Sequence, residues 1–184
     1  MFTPASELGK LAGGNSESLL GSTSFSEPAV CREKMTGTDS ANDEKGVGRW
    51  EHFDHGADIG LRGLGATRAE AFKQAALALT GVITNPKAVA SEQAVTIHCE
   101  APDDELLLVD WLNAVIFEMA TRKMLFGKVQ VCLEDHHLTA TLWGEPVDRA
   151  RHQPAVEVKG ATYTELRVQQ ETDGRWYAQC VVDV

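Results

Sequence analysis

The densest run of side chains able to do chemistry is Glu51-His52-Phe53-Asp54-His55-Gly56-Ala57-Asp58, which sets imidazoles and carboxylates close together. These are donors from which metal centres are built, and with an open coordination position His52, Asp54, His55 and Asp58 would activate water for hydrolysis. The same residue types at a turn between strands also cap backbone groups, so spacing alone leaves both roles open. Alternation adds a constraint. Ile59 and Leu61 alternate with Asp58, Gly60 and Arg62, so if the apolar pair faces a core, Asp58 points away from it with Arg62. The other end of the sequence has the same phase, with Trp176, Ala178, Cys180 and Val182 alternating with Tyr177, Gln179, Val181 and Asp183 before Val184. Asp58, Asp183 and the main-chain carboxylate of Val184 are hard oxygen donors of the kind Ca²⁺ or Mg²⁺ accepts, provided the two strands meet.

Other polar residues carry less chemistry. Asp110 and Asn113 lie three apart in an apolar stretch, where a buried pair hydrogen-bonded to backbone is the expectation. His136 and His137 fall in a hairpin turn, and Lys159 follows the alternating Val156 and Val158 as an exposed strand lysine would. The G-x-S-x-G, G-x-G-x-x-G and G-x-x-x-x-G-K-[ST] patterns are absent, so nucleophile-elbow, dinucleotide and P-loop chemistry have no support.

The elements that position these residues follow from periodicity. Strands are expected over 50–53 and 57–63, then a helix whose Thr67 and Glu70 form a capping box ahead of Ala71, Phe72, Ala75, Ala76, Leu79, Val82 and Ile83. A strand over 95–99 precedes a second helix, opened by Asp103, Asp104 and Glu105 and running to about residue 123. It has so little polar face that it should be largely buried. Strands over 128–133 and 138–143 make a hairpin, 144–152 reads as a loop, and strands over 156–159, 166–171 and 176–184 complete the pattern. Two helices and about seven strands joined mostly by hairpins give an α+β two-layer single domain with a mainly antiparallel sheet. That domain covers residues 49–184. Residues 1–48, rich in Gly, Ser, Thr and acidic groups without sustained periodicity, are expected to form a flexible low-complexity extension.

Composition bounds the function. An apolar fraction of 43% and a charged fraction of 24% are those of a globular protein, and a net charge of −10 repels phosphate backbones. A protein or metal partner suits that sign better than direct contact with nucleic acid. Cys31, Cys99, Cys132 and Cys180 have no C-x-x-C spacing, and no stretch approaches the roughly 20 apolar residues of a membrane helix, so a cytoplasmic protein with reduced thiols is expected.

Taken together, the segments resemble the archease family. The pieces are His55-Gly56-Ala57-Asp58-Ile59-Gly60, Leu107-Leu108-Val109-Asp110-Trp111-Leu112-Asn113, Gly144-Glu145-Pro146 through Arg151-His152, Glu157-Val158-Lys159-Gly160-Ala161-Thr162-Tyr163 and Val182-Asp183-Val184. Gly56 departs from the pattern, since the family usually has Thr there. The resemblance implies a non-catalytic protein cofactor of an RtcB-type RNA-splicing ligase, one that promotes guanylylation and multiple turnover in tRNA splicing or RNA repair. RNA would be met only through the ligase, with no membrane involved. It also implies a divalent cation site, for Ca²⁺ or Mg²⁺, at Asp58, Asp183 and the Val184 carboxylate, and a ligase-activating role for Lys159. Against this stand a metal-dependent hydrolase built on His52, Asp54, His55 and Asp58, and a chaperone-like binding module.

Overall fold

The computed structural model describes residues 48–184, so the extension expected over 1–48 lies, except for Gly48, outside the described residues. The first hairpin pairs β1 (Arg49–His55) with β2 (Asp58–Gly65) through a two-residue turn in which Gly56 takes φ 64° without strain. Helix α1 (Arg68–Ile83) follows, and the Thr67 hydroxyl accepts from the Glu70 amide at its start, one half of the expected capping box, while the Glu70 carboxylate accepts from Lys73 and Gln74. A 3₁₀ turn (Pro86–Ala88) leads to β3 (Gln93–Glu100) and then to α2 (Asp104–Arg122), capped by Asp103, whose carboxylate accepts from the Leu106 amide at 2.8 Å. The long hairpin of β4 (Met124–Glu134) and β5 (His137–Pro146) comes next. A short helix α3 (Arg149–His152) and the strands β6 (Gly160–Ala161), β7 (Arg167–Gln170) and β8 (Trp176–Asp183) finish the chain.

The α+β class and the antiparallel pairing are as expected, but eight strands divide between two sheets. One holds β1, β2, β8 and β6 in that order with β7 also on β8, and the other runs β3, β5, β4. Both sheets feed one core, in which Leu61, Ala178, Cys180 and Val182 from the first meet Val95, Phe126, Leu138 and Leu142 from the second around Phe72, Leu79, Leu108 and Trp111. Helix α1 ties the sheets together. Its Thr80 hydroxyl donates to the Phe126 carbonyl of β4 at 2.8 Å, and Ala71 and Ala75 lie directly over Gly63 of β2.

Local expectations need correction at four places. Of the loop expected over 144–152, residues 144–146 are instead the end of β5, with Pro146 at its last position, and 149–152 form the short helix α3. Residues 156–159 are not a strand: the Ala155 amide donates to Ile83 O at 2.9 Å and the Lys159 amide to Asp183 O at 2.9 Å, which leaves pairing to begin at Gly160. Asp110 is exposed rather than part of a buried pair, and Phe117 lies on a solvent face of α2 with 63% of its surface exposed. Among the described residues no helix is long and apolar enough to cross a membrane.

Candidate functional site

The phase read from the two alternating strands holds in the fold. Leu61, Ala178, Cys180 and Val182 are in the core, which turns Asp58 and Asp183 to the opposite face. Strands β2 and β8, far apart in sequence, are antiparallel neighbours with Ile59 across from Val182, and the next register step sets Asp58 level with Asp183. On the other side of β8, Gly160 of β6 is also level with Asp183. His55, Asp58, Asp183 and Gly160 thus form one row across four strands at one end of the sheet.

Lys159 joins this row through its backbone and its side chain. Its amide donates to Asp183 O at 2.9 Å, while its Nζ donates to the main-chain oxygen of Val184 at 2.8 Å and lies 3.9 Å from Asp183 Oδ1. The group is open to solvent, with side-chain exposures of 65% for Lys159 and 53% for Asp183. What fixes it is α2. Asn113 Nδ2 donates to Ala161 O at 3.2 Å and its Oδ1 accepts from the Ala161 amide at 2.9 Å, a two-point clamp on the residue after Gly160. Asn113 therefore bonds to backbone as its place in an apolar helix suggested, and it is a positioning residue for the segment carrying Lys159.

The His-rich alternative does not assemble. Alternation along β1 sends His52 toward α1, where its Nε2 lies 2.8 Å from Ala78 O and its ring tilts against Trp50 at 5.1 Å. Phe53 goes to the opposite face, beneath the Arg62 guanidinium at 5.3 Å. Among the described residues no three His, Cys, Asp or Glu side chains gather as a metal-holding group, and His52 is turned away to α1. Cys99 and Cys180 offer no nucleophile either. Burial pushes the Cys180 thiol up to about 12 and, with some help from the Asp110 charge, the Cys99 thiol to about 11, so both are protonated at neutral pH.

Comparison with known proteins decides the family. The model of the Archease protein family matches residues 50–184. A protein archease from Pyrococcus furiosus is 37% identical over 140 residues, covering 74% of this chain and 99% of the relative. One from Methanosarcina barkeri is 35% identical over 141 residues, covering 74% and 96%. The solution structure of Methanobacterium thermoautotrophicum protein 1598 superposes with a TM-score of 0.61 at 31% identity, covering 73% of this chain and 98% of that one. The chain belongs to the archease family.

In this archease-family chain the segment leading to Lys159 is secured by a buried carboxylate that sequence reasoning passed over. Glu145, 2% exposed, accepts at Oε1 from the Ala90 amide at 2.5 Å and from His152 Nε2 at 3.1 Å, while its Oε2 pairs with the Arg151 guanidinium. His152 Nδ1 accepts from the Asp148 amide at 3.0 Å, which leaves Nε2 to carry the proton that Glu145 receives. The turn at Ala90 and helix α3 thus meet on one carboxylate at the end of β5. The Ala90 N–H first and the Arg151 guanidinium second hold its carboxyl down at about 2 instead of 4.5. The folded-state value is the lower one, so the contribution of Glu145 to stability is complete above 4.5 and is lost as pH falls through about 2. Glu145→Gln is expected to melt well below the parent at pH 7, with the gap narrowing as pH drops from 4.5 toward 2. A melting series against pH checks this, and a gap independent of pH would mean the carboxylate charge is not what the loops require.

A separate apolar cavity of about 390 Å³ opens between the C-terminal turns of α1 and α2 and the 147–158 segment, lined by Ile83, Ile116, Met119, Val147, Val156 and Val158 among others. It contains none of Asp58, Lys159, Asp183 or Val184.

Proposed function

We infer that this chain is a protein cofactor, rather than a catalyst, for an RtcB-type RNA-splicing ligase, promoting its guanylylation and repeated turnover in tRNA splicing or RNA repair. Family membership supports it. The observation that carries it is the convergence of Lys159, Asp183 and Val184, with Asp58 at the adjoining register position, on an exposed sheet end. An ammonium on such a surface is placed to meet phosphate held by another macromolecule. A net charge of −10 favours a protein partner over bare RNA, so RNA is met through the ligase. The proposed compartment is the cytoplasm, where the thiols stay reduced.

The same sheet end is the proposed divalent cation site. Asp58, Asp183 and the main-chain oxygens of Val184 are hard donors with no sulfur or imidazole among them, which suits Ca²⁺ or Mg²⁺. The fit is further supported by the Lys159 ammonium, a cation already resting on two of these groups. With two side-chain carboxylates available, water would complete the coordination. A bound cation would supply charge neutralisation between the facing carboxylates and a positive centre for phosphate or carbonyl oxygens of the partner.

A chaperone-like binding module is the second reading, and the observation in its favour is the apolar cavity flanked by Val147 and Val156, each 37% exposed. Labelled GTP separates the two. The expected result is label on a partner ligase, appearing faster when this chain is added, and none on this chain. Label on this chain, or a ligase whose guanylylation is indifferent to it, overturns the cofactor reading.

A further inference from the structure

This inference rests on the reading of Asp58, Asp183 and Val184 as a divalent cation site. We propose that the Lys159 ammonium is the resident counter-ion of that site, and that a divalent cation, by taking the same oxygens, releases the ammonium toward the partner.

Carboxylates directly across from each other in an antiparallel pair repel, and continuing the β2–β8 register one step past Ile59 and Val182 brings Asp58 opposite Asp183. A nearby positive charge offsets that repulsion. Lys159 supplies it, with Nζ 2.8 Å from Val184 O and 3.9 Å from Asp183 Oδ1. A Ca²⁺ ion binds oxygen at about 2.4 Å and needs the same lone pairs to which the ammonium donates. Two cations of total charge +3 sharing those oxygens repel each other, so occupancy by the metal and docking of the ammonium exclude one another.

The exchange requires little else to move. The 3.9 Å approach to Asp183 is longer than a hydrogen bond and the side chain is 65% exposed, so one solvent-exposed hydrogen bond, to Val184 O, is what holds the ammonium. Its backbone, by contrast, stays in place, held by the Lys159 amide on Asp183 O and by the Asn113 clamp on Ala161. Only the flexible side chain swings. In this arrangement cation binding and presentation of the Lys159 charge are two faces of one event, which gives the cation a role in activation beyond holding strand ends together.

The test compares the native protein with Lys159→Met, which keeps an apolar stem and removes the charge. Calorimetric titration with CaCl₂ is expected to show roughly fivefold tighter binding by the Met variant, the effect of removing one weak competing ion pair. In native protein carrying ¹³Cε-labelled lysine, the resonance missing from Lys159→Met is expected to shift on adding Ca²⁺. Equal or weaker affinity in the variant, together with an unmoved Lys159 resonance, overturns the counter-ion role while leaving the cation site standing. Absence of Ca²⁺ and Mg²⁺ binding in both proteins overturns the cation site itself, and the inference with it.

Discussion

A doubly substituted protein, Asp58→Asn with Asp183→Asn, is expected to melt slightly higher than its parent without cation and to gain nothing from added Ca²⁺. The two effects have opposite signs and one origin. Across the β2 and β8 pairing the two carboxylates are level with each other, and removing like charges from facing positions returns up to about 1 kcal/mol. The parent, by contrast, is expected to gain about 2.7 kcal/mol if Ca²⁺ binds there and is present at a hundredfold excess over its dissociation constant, a gain the variant would forfeit. Stimulation of ligase guanylylation should fall to background in the same variant. Melting curves with and without Ca²⁺ decide the matter. A variant stabilised by cation as strongly as the parent would remove these residues from any cation site.

The largest loss of stability is expected from one added methyl group, in Gly63→Ala. A Cβ at Gly63 would stand 2.2 Å from Ala71 O and 2.3 Å from Ala75 N, and both are backbone atoms of α1 that cannot rotate aside. The helix must lift from β2, which opens the core around Leu61, Phe72 and Leu79, each fully buried. Overpacking of this kind costs about 3 kcal/mol. Urea unfolding should show the loss as a lower midpoint at unchanged slope. Gly174 is a useful contrast, since nothing lies within 4 Å of its would-be Cβ and only its φ of 86° opposes a side chain. A Gly63→Ala protein as stable as the parent would mean that α1 sits farther from the sheet than these distances state.

What was legible in the sequence was whatever a short period encodes. The period-two alternation over 58–62 and 176–183 fixed which side of each strand meets the core, and so which way Asp58 and Asp183 point. Thr67 and Glu70 marked the start of α1 because a cap is a local hydrogen bond. That β2 and β8 are neighbours was not legible, since nothing in either strand names its partner, and the division into two sheets escaped for the same reason. Glu145 was missed because an acidic residue before proline reads as exposed loop. Its burial depends on an amide from Ala90 in a distant turn, although Arg151 and His152 close behind were a usable signal. Residues 156–159 alternate like a strand yet pair with nothing in strand register, because the Lys159 amide is already taken by Asp183.

Strand β8 has a further consequence, one for solubility. It is the most apolar strand of its sheet, with Tyr177 through Val182 buried, and a bare edge there would invite pairing between molecules. Its far side is instead shared by two short strands, β7 along Arg167–Gln170 and β6 at Gly160–Ala161, while β1, with Arg49, His52 and Asp54 exposed, takes the outer position beyond β2. The hold on β6 by Asn113 therefore also guards against aggregation: loosening that clamp would uncover the end of β8 and leave an apolar strand edge free to recruit another copy of the chain.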